Sequence, residues 1–140
     1  MIEVTRLLRW LSTTLKGDSA LMSAAPGGIH FGVAPQGSVY PLVRVLYDAA
    51  DDLLGLGAAR LWADGDLAVV VIGQTGSPLA LEAAADRIDA LLHGASATLD
   101  PAMIYSIVRV RAICRTAPAA GTGVIYTQLG GTYAVQVGAL

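Results

Sequence analysis

The chain has 140 residues, 54% of them apolar and only 14% charged, and its formal net charge is −2. Without a basic excess it lacks the phosphate-neutralising side chains that tight sequence-independent DNA binding requires, and its one cysteine, Cys114, excludes an intrachain disulfide. Charge is this sparse against about 25% in typical soluble domains; because broad exposed apolar patches are rare on monomers, burial against other subunits is the expectation.

Residues 2–15 read as a helix, because Val4, Leu7, Leu8, Leu11 and Leu15 recur at spacings of three and four and make one apolar stripe. Gly17 stops it, and Asp18 caps a short second helix through Ser23 by accepting free backbone N–H groups. Pro26-Gly27-Gly28 breaks the chain before a short strand at 29–33. Pro35-Gln36-Gly37-Ser38 is a turn, and a strand follows Pro41 over 42–47. Residues 48–57, with Asp48, Asp51 and Asp52, read as a loop or an irregular short helix. Residues 58–63 and 67–73 read as two strands joined by an Asp64-Gly65-Asp66 hairpin turn, since Asp-Gly favours positive φ. The second of these has no polar position from Leu67 to Ile72, as a central strand buried on both faces would.

Ser77-Pro78 opens the second long helix, whose stripe is Leu81, Ala84, Ala85, Ile88, Leu91 and Leu92 and whose end is Gly94. Residues 103–115 form the longest strand candidate. Alternation puts Ile104, Ser106, Val108, Val110, Ala112 and Cys114 on a core face, and Tyr105, Ile107, Arg109, Arg111, Ile113 and Arg115 on the other. After a turn at 118–123, strands at 124–129 and 132–137 flank Gly130-Gly131, a two-residue hairpin turn by composition. The fold class expected is α+β: a mostly antiparallel mixed sheet with an N-terminal helix and a second helix packed on one face, in a single domain spanning 1–140.

A search for chemistry finds no site. The glycine pairs lack the residues of a phosphate loop. His30 has no oriented partner, and His93 at a helix C-terminus reads as a charge favourable to the helix dipole. Cys114, placed on the core face, behaves as a small hydrophobe. The aspartates at 48, 51 and 52 and at 64 and 66 do not match a calcium loop and read as solvated carboxylates. No catalytic, cofactor or metal residue is therefore named. Arg109, Arg111 and Arg115 are the most informative polar set, since arginine suits bidentate pairing with carboxylates across a subunit contact. The longest apolar run, 67–73, is far short of the ~20 residues of a membrane-spanning helix, and the N-terminus does not read as a signal peptide. The expectation is a protein made and folded in a cytosol, with no membrane partner.

Several stretches together resemble the phage tail-completion (tail-terminator, neck) protein family. They are His30-Phe31-Gly32-Val33-Ala34-Pro35-Gln36-Gly37-Ser38-Val39-Tyr40-Pro41-Leu42-Val43, the helix end Leu91-Leu92-His93-Gly94 with Leu99-Asp100, the strand with Arg109 and Arg111, and Gly130-Gly131-Thr132-Tyr133-Ala134-Val135-Gln136-Val137. Residues 48–57 depart from the pattern and read as an inserted loop facing a neighbour. The resemblance implies a structural virion protein at the tail-head junction, assembled in the bacterial host cytoplasm. It implies a homohexameric ring that caps the tail tube, stops its polymerisation and joins it to the head-side connector. DNA would pass through without sequence-specific binding, and the resemblance implies neither catalysis nor a cofactor. The contact residues expected are Asp48, Asp51, Asp52, Arg109, Arg111 and Arg115, with Tyr126 and Tyr133 of the C-terminal hairpin. The rival readings are a small monomeric or dimeric α+β ligand-binding module, which a single large apolar pocket would support, and a small enzyme, which perturbed carboxylates or a His-centred pair in a cleft would support.

Overall fold

A computed structural model describes residues 1–139, with the backbone alone at residues 49 and 50. Helices α1 (Ile2–Lys16) and α2 (Ser19–Ala24) lead into strand β1 (Ile29–Phe31) and the long strand β2 (Leu42–Leu54). A 3-10 turn at Leu56–Ala58 returns the chain into β3 (Arg60–Gly73). Helix α3 (Glu82–Leu92) follows a 3-10 turn at Pro78–Leu81, and then come β4 (Ala95–Thr98), β5 (Ala102–Pro118) and β6 (Ile125–Ala139). The strands form one sheet in the order β1-β2-β3-β6-β5-β4, antiparallel throughout except that β1 runs parallel to β2. The expected α+β class, with helices on one face of a mostly antiparallel sheet, is what the chain adopts.

The core lies between the helices and one face of the sheet. Leu7, Leu11 and Leu15 of α1 and Ala84, Ile88 and Leu92 of α3 are buried, as the i, i+4 spacing requires. They meet alternate residues of the central strands: Leu67, Val69 and Val71 on β3, and Tyr133, Val135 and Val137 on β6. Asp18 accepts the Leu21 N–H at 3.0 Å, so the expected cap of α2 is present. The same carboxylate receives both Nε and Nη2 of Arg87 at 2.8 Å, which ties α2 to α3. That guanidinium holds the Asp18 carboxyl below the usual carboxylate range.

Three expected turns or loops are strand instead. Residues 48–57 are not a separate loop: β2 runs through them to Leu54, with Asp51 opposite Asp64 and Leu53 opposite Trp62. The turn sits at the 3-10 segment, where Gly57 takes φ 71°. Asp64-Gly65-Asp66 is the interior of β3. Gly65 is there because a Cβ would lie 2.2 Å from the Tyr47 hydroxyl oxygen, so the missing side chain makes room for a ring. Gly130-Gly131 is likewise the interior of β6. A Cβ on Gly130 would lie 2.1 Å from the Val69 carbonyl oxygen of β3, so these glycines mark a sharp curl of the sheet and not a chain reversal. The apolar run 67–72 is central, as expected, and Val70 is buried on its second face, but Ala68 and Ile72 are only half-buried there. Strand β4 had no strand signal in its sequence, Ala-Ser-Ala-Thr. Ser77 does not cap the second helix; its side chain makes no such bond, and the 3-10 turn intervenes.

Two measurements follow from this packing. Gly65→Ala should destabilise the fold by about 1–3 kcal/mol in denaturant unfolding through overpacking against Tyr47, and adding Tyr47→Leu should restore part of it; no loss in the single variant would refute the close approach. For Asp18 the folded pKa is depressed, so the stabilisation is present above the unfolded value of 3.8 and is lost as pH falls through the lower folded value. Asp18→Asn should therefore lower Tm at neutral pH and remove this part of the acid dependence, which thermal melts from pH 7 down to pH 2 would show.

Candidate assembly interface

The alternation that places Val69 and Tyr133 against the helices turns a second set of side chains to the opposite face, which among the described residues no helix covers. Along β3 these are Trp62, Asp64, Asp66, Ala68, Val70 and Ile72, and along β6 Gln128, Thr132, Ala134 and Gln136. The β2 residues Arg44, Leu46 and Asp51 share this face, as the register to Val70, Ala68 and Asp64 requires.

The arginines of β5 do not lie on one face. Register shifts interrupt β5 between Ile104 and Ser106 and again between Arg109 and Arg111, and each extra residue inverts the alternation beyond it. Ile107 is thus buried and Val108 exposed, the reverse of the expected order. Arg109, opposite Tyr133, is on the helix-packed side, where its Nη1 lies 3.6 Å from Asp89 Oδ1. Arg111 and Arg115, opposite Thr132 and Gln128, are on the helix-free face. Cys114 is exposed, not part of the core, because the helices do not extend under this half of β5.

Asp48, Asp51 and Asp52 are exposed along β2, and Asp52 has Arg60 Nε at 3.5 Å. Arg111 lines a groove of about 510 Å³ with Leu46, Asp48, Asp66, Ala68 and Thr132, so the curled sheet faces its basic side chain toward acidic ones. A second groove is lined by Asp51, Asp64, Asp66, Ser106 and Gln136. The expected contact residues separate further at the tyrosines. Tyr126 is half-buried against Tyr40, with ring centroids 5.5 Å apart at 61°, and its hydroxyl accepts a hydrogen bond from Gln74 at 3.2 Å. Tyr133 is only 1% exposed: it is a core residue, not a contact residue on the surface, and its hydroxyl donates to Asp89 at 2.9 Å. Burial and the Asp89 carboxylate push that phenol well above its ordinary range.

The histidines act on backbone. His30 Nε2 donates to the Gly27 carbonyl at 2.8 Å. His93 Nδ1 accepts the Arg109 N–H at 3.0 Å, so the ring bonds to the backbone of β5. Among the described residues no group of three or more His, Cys, Asp or Glu is placed to hold a metal ion. Sequence reasoning missed Asp64, Asp66 and Arg44 as members of the helix-free face. Their alternation with Leu67, Val69 and Val45 is the signal that would have found them, once 60–73 is taken as one strand. The split of the arginines makes a prediction about stability. Tyr133→Phe should cost about 1–2 kcal/mol by removing a hydrogen bond to a carboxylate, and Arg109→Glu should lower Tm by setting two like charges together at Asp89. Arg111→Glu should leave Tm unchanged in the same melts, because Arg111 has no ion-pair partner within the chain among the described residues.

The family model described as "Tail completion protein gp17" matches residues 10–129. No match was found among curated proteins. Among solved structures, a chain of the "Virion of native gene transfer agent (GTA) particle" has a similar fold, with a TM-score of 0.64, 20% identity, and 90% of each chain covered. The chain belongs to the tail completion protein family and is a structural, non-enzymatic component of a phage-like virion tail.

Proposed function

We propose that the protein closes into a ring of its own copies at the end of the tail tube, stops the tube's polymerisation and joins it to the head-side connector. Family membership supports a place among tail components, and the number of copies that the resemblance implies is six. The observation that carries the ring is the sheet itself. Among the described residues, long stretches of its two outer long strands, β2 and β5, have no strand beside them, and the helices pack on one face of the sheet. Unpaired edges of this length invite pairing with another chain, and a head-to-tail contact that closes leaves none open.

On this reading the helices form the outside and the helix-free face lines the channel. That face carries Arg44, Arg111 and Arg115 against Asp51, Asp64 and Asp66, a balance of charge that lacks the basic excess of a tight DNA binder. DNA would then pass through without sequence-specific contacts. Acidic side chains line both grooves of the face, whereas a ligand-binding module would hold a large apolar pocket.

Native mass spectrometry and light scattering on the purified chain, alone and with tail-tube protein, would test this. The expected result is a closed oligomer of one size, formed alone or on the tube end, with tubes no longer growing once it is bound. A chain that stays monomeric beside tail-tube protein, and leaves tube growth unaffected, would refute the proposal.

A further inference from the structure

Strand β4 accompanies β5 only as far as Ile107, whose carbonyl accepts the Gly94 N–H at 2.7 Å, and His93 takes the Arg109 N–H. Past that point residues 110–118 have β6 on one side and, among the described residues, no strand on the other. On the far edge β1 accompanies β2 only to Val45, whose carbonyl accepts the Gly32 N–H at 3.0 Å. Residues 46–54 have β3 on one side and no strand on the other. The two bare edges are matched in length, about nine residues or about 30 Å each.

They are also matched in charge. The β5 edge carries Arg111 and Arg115 and no acid, and the β2 edge carries Asp48, Asp51 and Asp52 and no base. All five are exposed. Val110 on one edge and Leu54 on the other are 61% and 58% exposed, apolar side chains that a neighbour would cover. From these observations we infer that residues 110–118 of one copy pair, strand to antiparallel strand, with residues 46–54 of the next. The occupant of each bare edge is then a second copy of this chain. This rests on the ring reading and gives it a specific contact.

Direction supports the pairing. From β2 to β3, β6 and β5 each step is antiparallel, so β2 and β5 run in opposite senses. Copies related by rotation about an axis roughly along the strands therefore bring β5 beside β2 antiparallel. A two-fold dimer would instead join β5 to β5, setting arginines against arginines, or β2 to β2, setting aspartates together, and like charges directly opposite are destabilising. With the centres of the two edges aligned, Asp51 faces Ile113 and lies diagonal to Arg111 and Arg115 on the same face, a separation that long side chains span.

The stagger between the edges fits closure too. Cys114, at the middle of its edge, is level with Leu129 and Val71, whereas residue 50, at the middle of the other, is level with Gly65. The next copy is thus displaced along the strands by the Gly65-to-Val71 span, about 20 Å, while four strands are about 19 Å wide. That slope is a strand tilt of about 45°, at the upper end of the 35–45° typical of closed barrels.

Charge reversal and cross-linking test this on the full chain, with wild-type oligomerisation as the reference. Arg111→Asp with Arg115→Asp should reduce the oligomer at least tenfold, as should Asp48→Arg with Asp51→Arg, each with an unchanged Tm. Mixing the two variants should restore a closed oligomer, because each supplies the edge that the other lacks. In a Cys114→Ser chain, Asp52→Cys with Ala112→Cys, two exposed positions that the same alignment sets opposite each other, should form a disulfide between neighbours under mild oxidation and give a ladder of covalent oligomers. If the wild type assembles but charge reversal has no effect and no ladder forms, the edge contact is wrong and the ring reading survives. Should wild-type chains fail to assemble alone or on tail-tube protein, both are wrong.

Discussion

Backbone hydrogen bonding is the constraint on which this molecule turns. A strand in a sheet satisfies one row of N–H and C=O groups on each side, and a row with no partner is left to water or to another chain. Here the four long strands, of 13 to 17 residues, are flanked by strands of three and four. The short flanking strands cover one end of each edge and leave the rest bare. Soluble proteins ordinarily blunt such edges with lysine, proline or a covering helix. This chain has one lysine, Lys16, which lies on α1, and its helices cover a face rather than an edge. The protections that it does have include charges of a single sign on each edge, β-bulges in both outer long strands, and Pro118 at the end of β5.

Those charges also bear on specificity. A bare edge that carries only aspartates repels another like itself, and so does one that carries only arginines, while either attracts the other. Glycines set the shape on which this depends. Gly130 and Gly138 let strands approach where a Cβ would strike the backbone of β3, and Gly65 admits the Tyr47 ring. The sheet therefore curls, and the helix-free face gathers Asp51, Asp64 and Asp66 in one groove and sets Arg111 with Asp48 and Asp66 in another.

Much of this was legible in the sequence, and the failures share a cause. The helical stripes, the Asp18 cap, the antiparallel class and the family were readable because each is a local pattern repeated several times. The glycines were misread because Asp-Gly and Gly-Gly signal a turn by composition, and nothing local tells a turn from a strand that needs an absent side chain. Tyr47 and Val69, which account for Gly65 and Gly130, are 18 and 61 residues away. The arginines were misassigned because a β-bulge leaves no mark in the sequence yet inverts every later side chain, so Arg109 faces the Asp89–Tyr133 pair while Arg111 faces the open groove. Asp48, Asp51 and Asp52 were placed in a loop, whereas they lie on β2, because the strand continues past Tyr47 to Leu54.

The two bulges on β5 carry a further consequence. Without the shift between Arg109 and Arg111, period-2 alternation would keep Arg109, Arg111 and Arg115 together on one face. If that were the helix-packed face, the bare edge would carry its charge away from the helix-free face and out of line with Asp51. With the shift, Arg109 anchors the strand to α3 through Asp89, and Arg111 and Arg115 are released to the face shared with Asp51. One inserted residue thus divides the strand into a half bound to its own core and a half free to join a neighbour. On the ring reading this division lets the monomer fold before it assembles, since none of Tyr133, Asp89 and Arg109 depends on a second copy, whereas the part of β5 left without a flanking strand lies beyond the bulge.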